Sequence, residues 1–331
     1  MPHPLVKHWK REGADVYIGR PSAFGNPFKI GRDGDREQVI AKFRAWLHVN
    51  PYLMRLARRE LAGKTLGCWC APHACHGDVL AEIANSDAPL PPEPIMVYGS
   101  NEAGINGAGA ARFASRWCGV ENGHAEGISG ACYAIPTKDA RIRTLPLTAI
   151  EGGIARFLAY AAARPGDHFQ VTRIGCGLAG YHDDEIMPFF ARKTRNVHLP
   201  WTWECRLDPA RPPRVIVAGS REFDPDRVTS NLAGVFDQFE IDPHGRKAIV
   251  VSGGAKGPDT AGEDWAVENR VDMRRYPADW TRYKKAAGPI RNQFMAWSAS
   301  HLIAYWDGHS PGTKNMIETA SNDGLVVEVI S

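Results

Sequence analysis

The chain lacks any apolar run approaching the ~20 residues that a membrane-spanning helix requires. Its opening residues, Met1-Pro2-His3-Pro4, carry no signal-peptide hydrophobic stretch. These absences exclude a membrane-embedded reading and lead to the expectation of a cytoplasmic protein with no membrane partner. A dominant charge sign is lacking too. Forty basic against 37 acidic residues leave a net charge of +3, too little to indicate a nucleic-acid-binding stripe, although it leaves room for local basic sites. Cysteine is scarce and odd in number, 7 in 331 residues. In a reducing compartment such cysteines are expected as thiols or metal ligands rather than disulfides. No internal repeat at solenoid spacing and no low-complexity tract is visible. What remains is an ordinary globular composition, 44% hydrophobic and 23% charged.

Two proline-rich stretches punctuate it, Ala88–Pro94 and Asp208–Pro213. Proline withholds a ladder donor and biases its predecessor to extended backbone, so both read as stiff, extended connectors. They define three units, 1–88, 95–205 and 213–331, each of normal domain size. All three read as α/β. In the first, Val16–Gly19 and Thr65–Cys70 read as strands. Asp35 followed by Gln38 reads as a capping box opening a helix with the face Val39, Phe43, Trp46 and Leu47. In the second, Ile95–Tyr98 leads into a glycine-rich loop and a helix. The third alternates strand and helix throughout.

The third unit carries the strongest functional signal. Gly219-Ser220-Arg221 follows the apolar run Val215–Ala218; Gly253-Gly254-Ala255-Lys256-Gly257 follows Ile249–Ser252; Pro311-Gly312-Thr313 follows Leu302–Trp306. Each run reads as a buried strand and each loop precedes a helical pattern. In open α/β sheets, ligands bind at the carboxyl ends of the strands, where helix N-termini face the site. Three such loops on one edge would cradle phosphate. Arg221 and Arg291 offer bidentate forks, and Thr313 a hydroxyl.

With Ala287–Asn292 and Ser310–Thr313, these loops resemble the SLOG superfamily, and within it the YspA/cpYpsA-related branch; the superfamily includes the lonely-guy phosphoribohydrolases and the DNA-processing protein A family. The resemblance covers 213–331. It implies a Rossmann-like, doubly wound parallel sheet that binds a nucleotide-derived ligand. Gly219, Ser220, Arg221, Gly253, Gly254, Gly257, Asn292, Gly312 and Thr313 would contact the ligand, and Arg291, Asp259 and Asp307 would be the catalytic candidates. Relatives commonly pair, which implies a homodimer through this domain. In the lonely-guy hydrolases a catalytic glutamate follows the Gly-Thr pair by three positions. Here Met316 stands there, and the nearest acid, Glu318, falls on another helix face.

In the middle unit, Asn101–Ala111 opens a helix, Gly175–Tyr181 closes a strand, and Tyr133–Asp139 lies between. These resemble the loops of a divergent macro domain, a fold that binds ADP-ribose. The resemblance implies that Asn101, Asn106, Gly107 and Gly109 hold the distal ribose and that Gly175, Gly177 and Gly180 wrap the diphosphate. Tyr181 would stack on a ring or ribose face. The acidic residue that usually contacts adenine is absent from Ile95–Ser100.

In the first unit, Gly19–Ser22, Gly25–Phe28 and Cys68–Asp78 resemble an uncharacterised domain family found beside nucleotide-related modules in phage and bacterial proteins, with no chemistry to transfer. Cys68, Cys70 and Cys75 with His76 or His73 suit a tetrahedral zinc site. Alternatively Cys75, near a helix N-terminus and beside His76, would be a thiolate of lowered pKa. The plainer alternative makes Cys68 and Cys70 small apolar residues on one sheet face. Arg20 and Asn26 are candidate ligand contacts.

Together these features lead to an expected nucleotide, ADP-ribose or NAD-derivative processing protein that hydrolyses an N-glycosidic or ADP-ribosyl bond. The alternatives are a non-catalytic sensor or sponge of a nucleotide signal in phage–host conflict, and an accessory protein of nucleic-acid modification. Apart from zinc no cofactor is expected.

Overall fold

The computed structural model describes residues 3, 5–244 and 248–331. The chain divides into two compact units: one joins 1–91 to 212–331, the other is 92–211.

The amino-terminal part of the first unit runs β1 (Val6–His8), β2 (Val16–Tyr17), α1 (Arg36–His48), α2 (Pro51–Leu61), β3 (Leu66–Cys68) and α3 (His76–Ala84). Its small parallel sheet has the order β1-β3-β2. Asp35 and Gln38 close the capping box that the sequence predicts, Gln38 N–H donating to Asp35 Oδ1 at 2.9 Å and Asp35 N–H to Gln38 Oε1 at 3.0 Å. The predicted face of Val39, Phe43, Trp46 and Leu47 is buried.

The middle unit runs β4 (Ile95–Asn101), α4 (Gly109–Trp117), β5 (Gly127–Ser129), β6 (Cys132–Lys138), α5 (Leu147–Ala162), β7 (Phe169–Val171), α6 (Asp183–Ile186), a 3₁₀ turn at Met187–Phe190, β8 (Val197–His198) and α7 (Trp201–Leu207). Its sheet order is β5-β6-β4-β7-β8, parallel except for β5. The loops after β4, β6 and β7 therefore share one edge.

The carboxy-terminal part runs β9 (Arg214–Gly219), α8 (Pro225–Gln238), β10 (Ile249–Ser252), α9 (Pro258–Glu268), β11 (Asp272–Arg275), α10 (Trp280–Tyr283), α11 (Ala287–Trp297), β12 (His301–Tyr305), α12 (Pro311–Asn322) and β13 (Val326–Ile330). The sheet is wholly parallel in the order β11-β10-β9-β12-β13. Strand alternation sends Val215, Val217, Ile303 and Tyr305 to one face, against Val228, Leu232 and Phe236 of α8 and Trp265 of α9. Ile216, Ala218, Leu302 and Ala304 face the other way, against Met295 of α11 and Met316 and Ala320 of α12. The chain order of the strands reverses between β9 and β12, and a doubly wound sheet opens its ligand crevice at that point.

The first of these layers does not stop at the carboxy-terminal helices. It continues into Phe43, Trp46, Leu47, Leu53 and Leu80 of the amino-terminal part, forming one core. Trp46 Nε1 donates to Met273 O at 3.2 Å. Arg275 is enclosed at this junction. It forms a buried pair with Glu263, its Nε lying 2.7 Å from Oε1, and its Nη1 donates to Gly25 O at 2.8 Å and Ala23 O at 3.2 Å. The first half of the second proline stretch turns rather than extends: Arg211 N–H returns to Asp208 O at 3.0 Å, and Asp208 Oδ1 accepts from Ala210 N–H at 3.1 Å, an Asx turn around Pro209.

Candidate functional site

At the sheet's reversal point, a cleft of about 500 Å³ is lined by Gly219, Arg221, Asp259, Arg291, Asn292, Asp307, Gly312 and Thr313, together with Ala218, Glu222, Ala255, Ser310, Pro311 and Met316. Eight of the predicted residues thus meet in one place. The other four predicted contacts of this region, Ser220, Gly253, Gly254 and Gly257, stand outside the lining. Ser220, nearly fully buried, accepts Asp307 N–H on its Oγ at 3.2 Å and so ties the loop after β9 to the loop after β12.

The basic side of the cleft is built from α11 and α9. Arg291 Nε donates to Asn292 Oδ1 at 2.9 Å, and Nη1 lies 3.7 Å from Asp259 Oδ1. The terminal Nη groups make no hydrogen bond among the described residues, so an oriented fork is left for a ligand. Asn292 is itself held by its amide, which donates to Asn315 Oδ1 at 2.9 Å. Asp259 is buried and accepts Gly253 N–H at 3.0 Å. Burial pushes its pKa up, and the neighbouring Arg291 guanidinium and the backbone donors oppose that shift. A Cβ at Gly253 would overlap the Arg291 guanidinium, so any other residue here displaces that side chain. At Gly257 the backbone has φ +93°, a left-handed conformation that glycine adopts without strain just before α9.

The opposite side is the first turn of α12. Its N-cap, Ser310, makes no side-chain cap hydrogen bond, so the backbone donors at Gly312 and Thr313 are unused by the cap. Thr313 Oγ1 lies 3.2 Å from Ser310 Oγ. Asp307 accepts from Ser310 N–H at 2.8 Å and His309 N–H at 2.9 Å. These two bonds, Ser310 first, hold its pKa below the ordinary carboxylate value, and they commit it to shaping the loop. Arg221 is on the exposed rim, its guanidinium without a partner among the described residues. Glu318 is exposed beside Lys314, 3.9 Å away, whereas Met316 is buried in the lining. Of the lining residues, Glu222 carried no sequence signal. A second concavity of about 560 Å³ runs along one face of α1, at Glu37, Ile40, Ala41, Arg44, Ala45 and His48; it is the groove of a single helix, and Arg44 there is engaged by Glu82.

In the middle unit, the predicted loops share the carboxyl edge of β4, β6 and β7, and a Cβ at Gly109 would touch Leu178 of the Gly175–Tyr181 loop. Most of their polar side-chain atoms are engaged, although the Asn106 Oδ1 is buried without a hydrogen-bond partner among the described residues. Asn101 donates to Ile105 O at 2.7 Å and accepts Ile105 N–H at 3.0 Å. Asn106 donates to Glu121 O and Asn122 Oδ1 at 3.3 Å, and Tyr181 OH donates to Leu145 O at 2.7 Å. Gly177 borders open space, a Cβ at Gly107 would just touch Ile105, and Gly175 and Gly180 have φ +77° and +83°.

In the amino-terminal part, the sulfurs of Cys68, Cys70 and Cys75 lie within 4.8 Å of one another, a set able to hold a metal ion. His76 does not join them. Its Nε2 is 2.9 Å from Ile18 O and its ring packs edge-on against Phe43, so this imidazole belongs to the core. The low-pKa thiol is also not the one expected at the helix start. Cys70 is held well below the thiol range by Cys68, Cys75 and Arg36, whereas Cys75 is pushed up by its two sulfur neighbours and by burial. Asn26 is buried and spends its amide on Val39 O at 3.3 Å and its Oδ1 on Phe28 N–H at 2.9 Å. Arg20 is exposed.

Residues 5–86 match the family model "Domain of unknown function (DUF4326)", and residues 213–283 match that of the "YspA, cpYpsA-related SLOG family". The chain is similar to the gene 61 protein of Mycobacterium phage D29, 33% identical over 120 residues that span 34% of this chain and 93% of that protein. It is 36% identical over 80 residues to an uncharacterised 12.4 kDa protein of the nrdA-td intergenic region of Enterobacteria phage T4, covering 22% of this chain and 68% of that protein. To the uncharacterised protein R718 of Acanthamoeba polyphaga mimivirus it is 30% identical over 107 residues, covering 25% of this chain and 81% of that protein. Among solved structures it is similar to DNA processing protein A from Streptococcus pneumoniae, at 22% identity and a TM-score of 0.29, over 38% of this chain and 52% of that one. Among the described residues no helix is long and apolar enough to cross a membrane.

Proposed function

We propose that this chain, which belongs to the YspA, cpYpsA-related SLOG family through residues 213–283 and to the DUF4326 family through residues 5–86, binds and processes a phosphate-bearing nucleotide derivative in the cleft between the ends of β9 and β12. The observation that carries this reading is the convergence, at the reversal point of the sheet, of Arg291, whose Nη groups make no hydrogen bond among the described residues and whose Nη1 pairs loosely with Asp259, with the uncapped first turn of α12. A phosphate placed between them receives backbone N–H donors along the helix dipole and a charge-assisted fork from the other side. Arg221 on the rim adds an attractive charge for an approaching anion. Ala218 and Met316 supply apolar lining for the rest of the ligand.

Hydrolysis of an N-glycosidic or ADP-ribosyl bond would draw on Asp259, the buried carboxylate of the lining. A carboxyl whose pKa is raised by burial keeps its proton to higher pH than an exposed acid does, which suits it to protonate a departing base. Asp307 would then set the shape of the loop rather than take part in proton transfer. A second reading, retention of the nucleotide without turnover, is favoured by Met316, an apolar side chain at the position where the lonely-guy hydrolases carry a catalytic glutamate.

For the middle unit the macro-like reading gives a second, ADP-ribose-type seat. The shared edge of its three loops supports that reading, and with the side chains of Asn101 and Tyr181 engaged, the contacts would be backbone N–H groups of the glycine loops and the unpartnered Asn106 Oδ1. The thiol trio is read as the seat of a zinc ion, since three soft sulfur donors suit Zn²⁺.

Mass spectrometry of a pool of NAD, ADP-ribose and nucleoside monophosphates after incubation with the pure protein tests the first reading. A new free base, ribose phosphate or ADP-ribose product is expected. An unchanged pool with one member retained on the protein replaces turnover by binding alone. An unchanged pool with nothing retained contradicts both for these compounds.

A further inference from the structure

We propose that Cys68, Cys70 and Cys75 form a three-thiolate metal centre whose fourth coordination position is open to solvent and takes an exchangeable donor. The inference rests on the zinc reading and goes beyond it by fixing how many positions the chain fills.

The fold gathers the sulfurs from three places: the end of β3, the bend after it, and the start of α3. Tetrahedral Zn–S bonds of about 2.3 Å require sulfurs about 3.8 Å apart, so a set within 4.8 Å needs only a small inward adjustment. Cys75 stands at the N-cap of α3, where serine, threonine, aspartate and asparagine are the usual residues because sulfur is a weak acceptor. A cysteine there gains from the helix dipole and from Gly77 N–H, 3.3 Å from Sγ, when it is a thiolate. The connecting loop is fixed around the trio. His73 N–H returns to Cys70 O at 2.9 Å, Cys75 N–H donates to Asp78 Oδ2 at 2.7 Å, and Arg36 Nη1 donates to Ala74 O at 3.1 Å.

The fourth position is the decisive one. Among the described residues no histidine, carboxylate or further cysteine joins the set. The neighbour in sequence, His76, is turned away to Ile18 O, and His73 is exposed on the loop. Cys68 and Cys75 are buried whereas Cys70 is half-exposed, so the unfilled side is the solvent side. Structural zinc sites close with four protein ligands, and sites that keep three leave the fourth for water or a substrate atom. Soft or borderline donors fit such a place: a thiol, or a heterocyclic nitrogen of the kind nucleobases carry.

The test uses the full chain loaded with cobalt(II) under reducing conditions, with metal quantified per chain. One metal ion per chain with thiolate-to-cobalt charge-transfer absorption is expected, and Cys70→Ser should lower cobalt affinity at least tenfold while the circular dichroism spectrum is unchanged. Imidazole or 2-mercaptoethanol should then shift the visible cobalt bands saturably, and His73→Ala should leave the unliganded spectrum as it is. Bound cobalt whose spectrum ignores both additives but changes in His73→Ala overturns the open position and leaves a closed zinc site. A chain that retains no metal, with its three thiols free to titrate, overturns the zinc reading and the inference together.

Discussion

In the carboxy-terminal cleft, Arg291 and the first turn of α12 present donors to open space, whereas in the middle unit Asn101 turns both polar atoms of its side chain onto Ile105. Both regions are glycine-rich loops at the carboxyl edge of a parallel sheet. They differ in where the hydrogen-bonding capacity goes. A buried polar side chain must find partners; in one region the partners are the loop's own backbone, and in the other the side chains are braced from behind and their outer groups left free. Only in the second case are side-chain donors, and not backbone N–H groups alone, left for an anion.

The largest effect should come from removing the brace. Arg275→Ala leaves Glu263 buried and unpaired and cuts the bonds to Ala23 O and Gly25 O. A loss of about 3–5 kcal/mol is expected from urea denaturation. A loss below about 1 kcal/mol would mean that the amino-terminal loop and α9 do not support each other.

Next in size is the cleft itself. Gly253→Ala forces the Arg291 guanidinium aside, and Arg291→Gln removes its charge. Each should weaken nucleotide retention about 10- to 100-fold, the range of one or two charge-assisted hydrogen bonds. Equilibrium binding of the retained nucleotide measures this. The matched change, Asn101→Ala, should cost about 1–2 kcal/mol of stability by freeing the Ile105 backbone groups and leave that binding within twofold. Loss of binding in Asn101→Ala with unchanged stability would reverse the comparison.

The smallest and sharpest test is pH. Asp259 has its folded pKa raised above the ordinary 3.8, so its contribution is fully present below about pH 4 and is lost as pH rises through the raised value. Wild-type should therefore lose stability relative to Asp259→Asn on going up from pH 4. Asp307 has a lowered pKa, so its contribution is present above 3.8 and disappears as pH falls below it. Asp307→Asn should match wild-type at low pH and fall behind it above pH 4. Urea midpoints across pH 3–7 separate the two acids, and parallel profiles would contradict their assigned environments.

Much of the carboxy-terminal part was legible because strands buried on both faces read as unbroken apolar runs such as Ile249–Ser252, and the capping box at Asp35 is a purely local signal. The position of the cleft followed from loop order along a parallel sheet. Three features were not legible. The continuity of Trp46 with the layer under β9 and β12 depends on contacts between residues some 200 positions apart, which periodicity does not encode. β1, whose residues are Val6-Lys7-His8, is too short and polar to show as a strand. The turning of His76 into the core rather than toward the sulfurs is set by Ile18 O and Phe43, neither of which its spacing from Cys75 reveals.

Native mass spectrometry of the intact chain with NAD, ADP-ribose and nucleoside monophosphates, run in parallel on wild-type, Arg291→Gln and Asn101→Ala, tests the central claim most directly. The account predicts one phosphate-bearing ligand retained by wild-type and Asn101→Ala and lost from Arg291→Gln. Retention by Arg291→Gln together with loss from Asn101→Ala would contradict it and move the nucleotide to the middle unit.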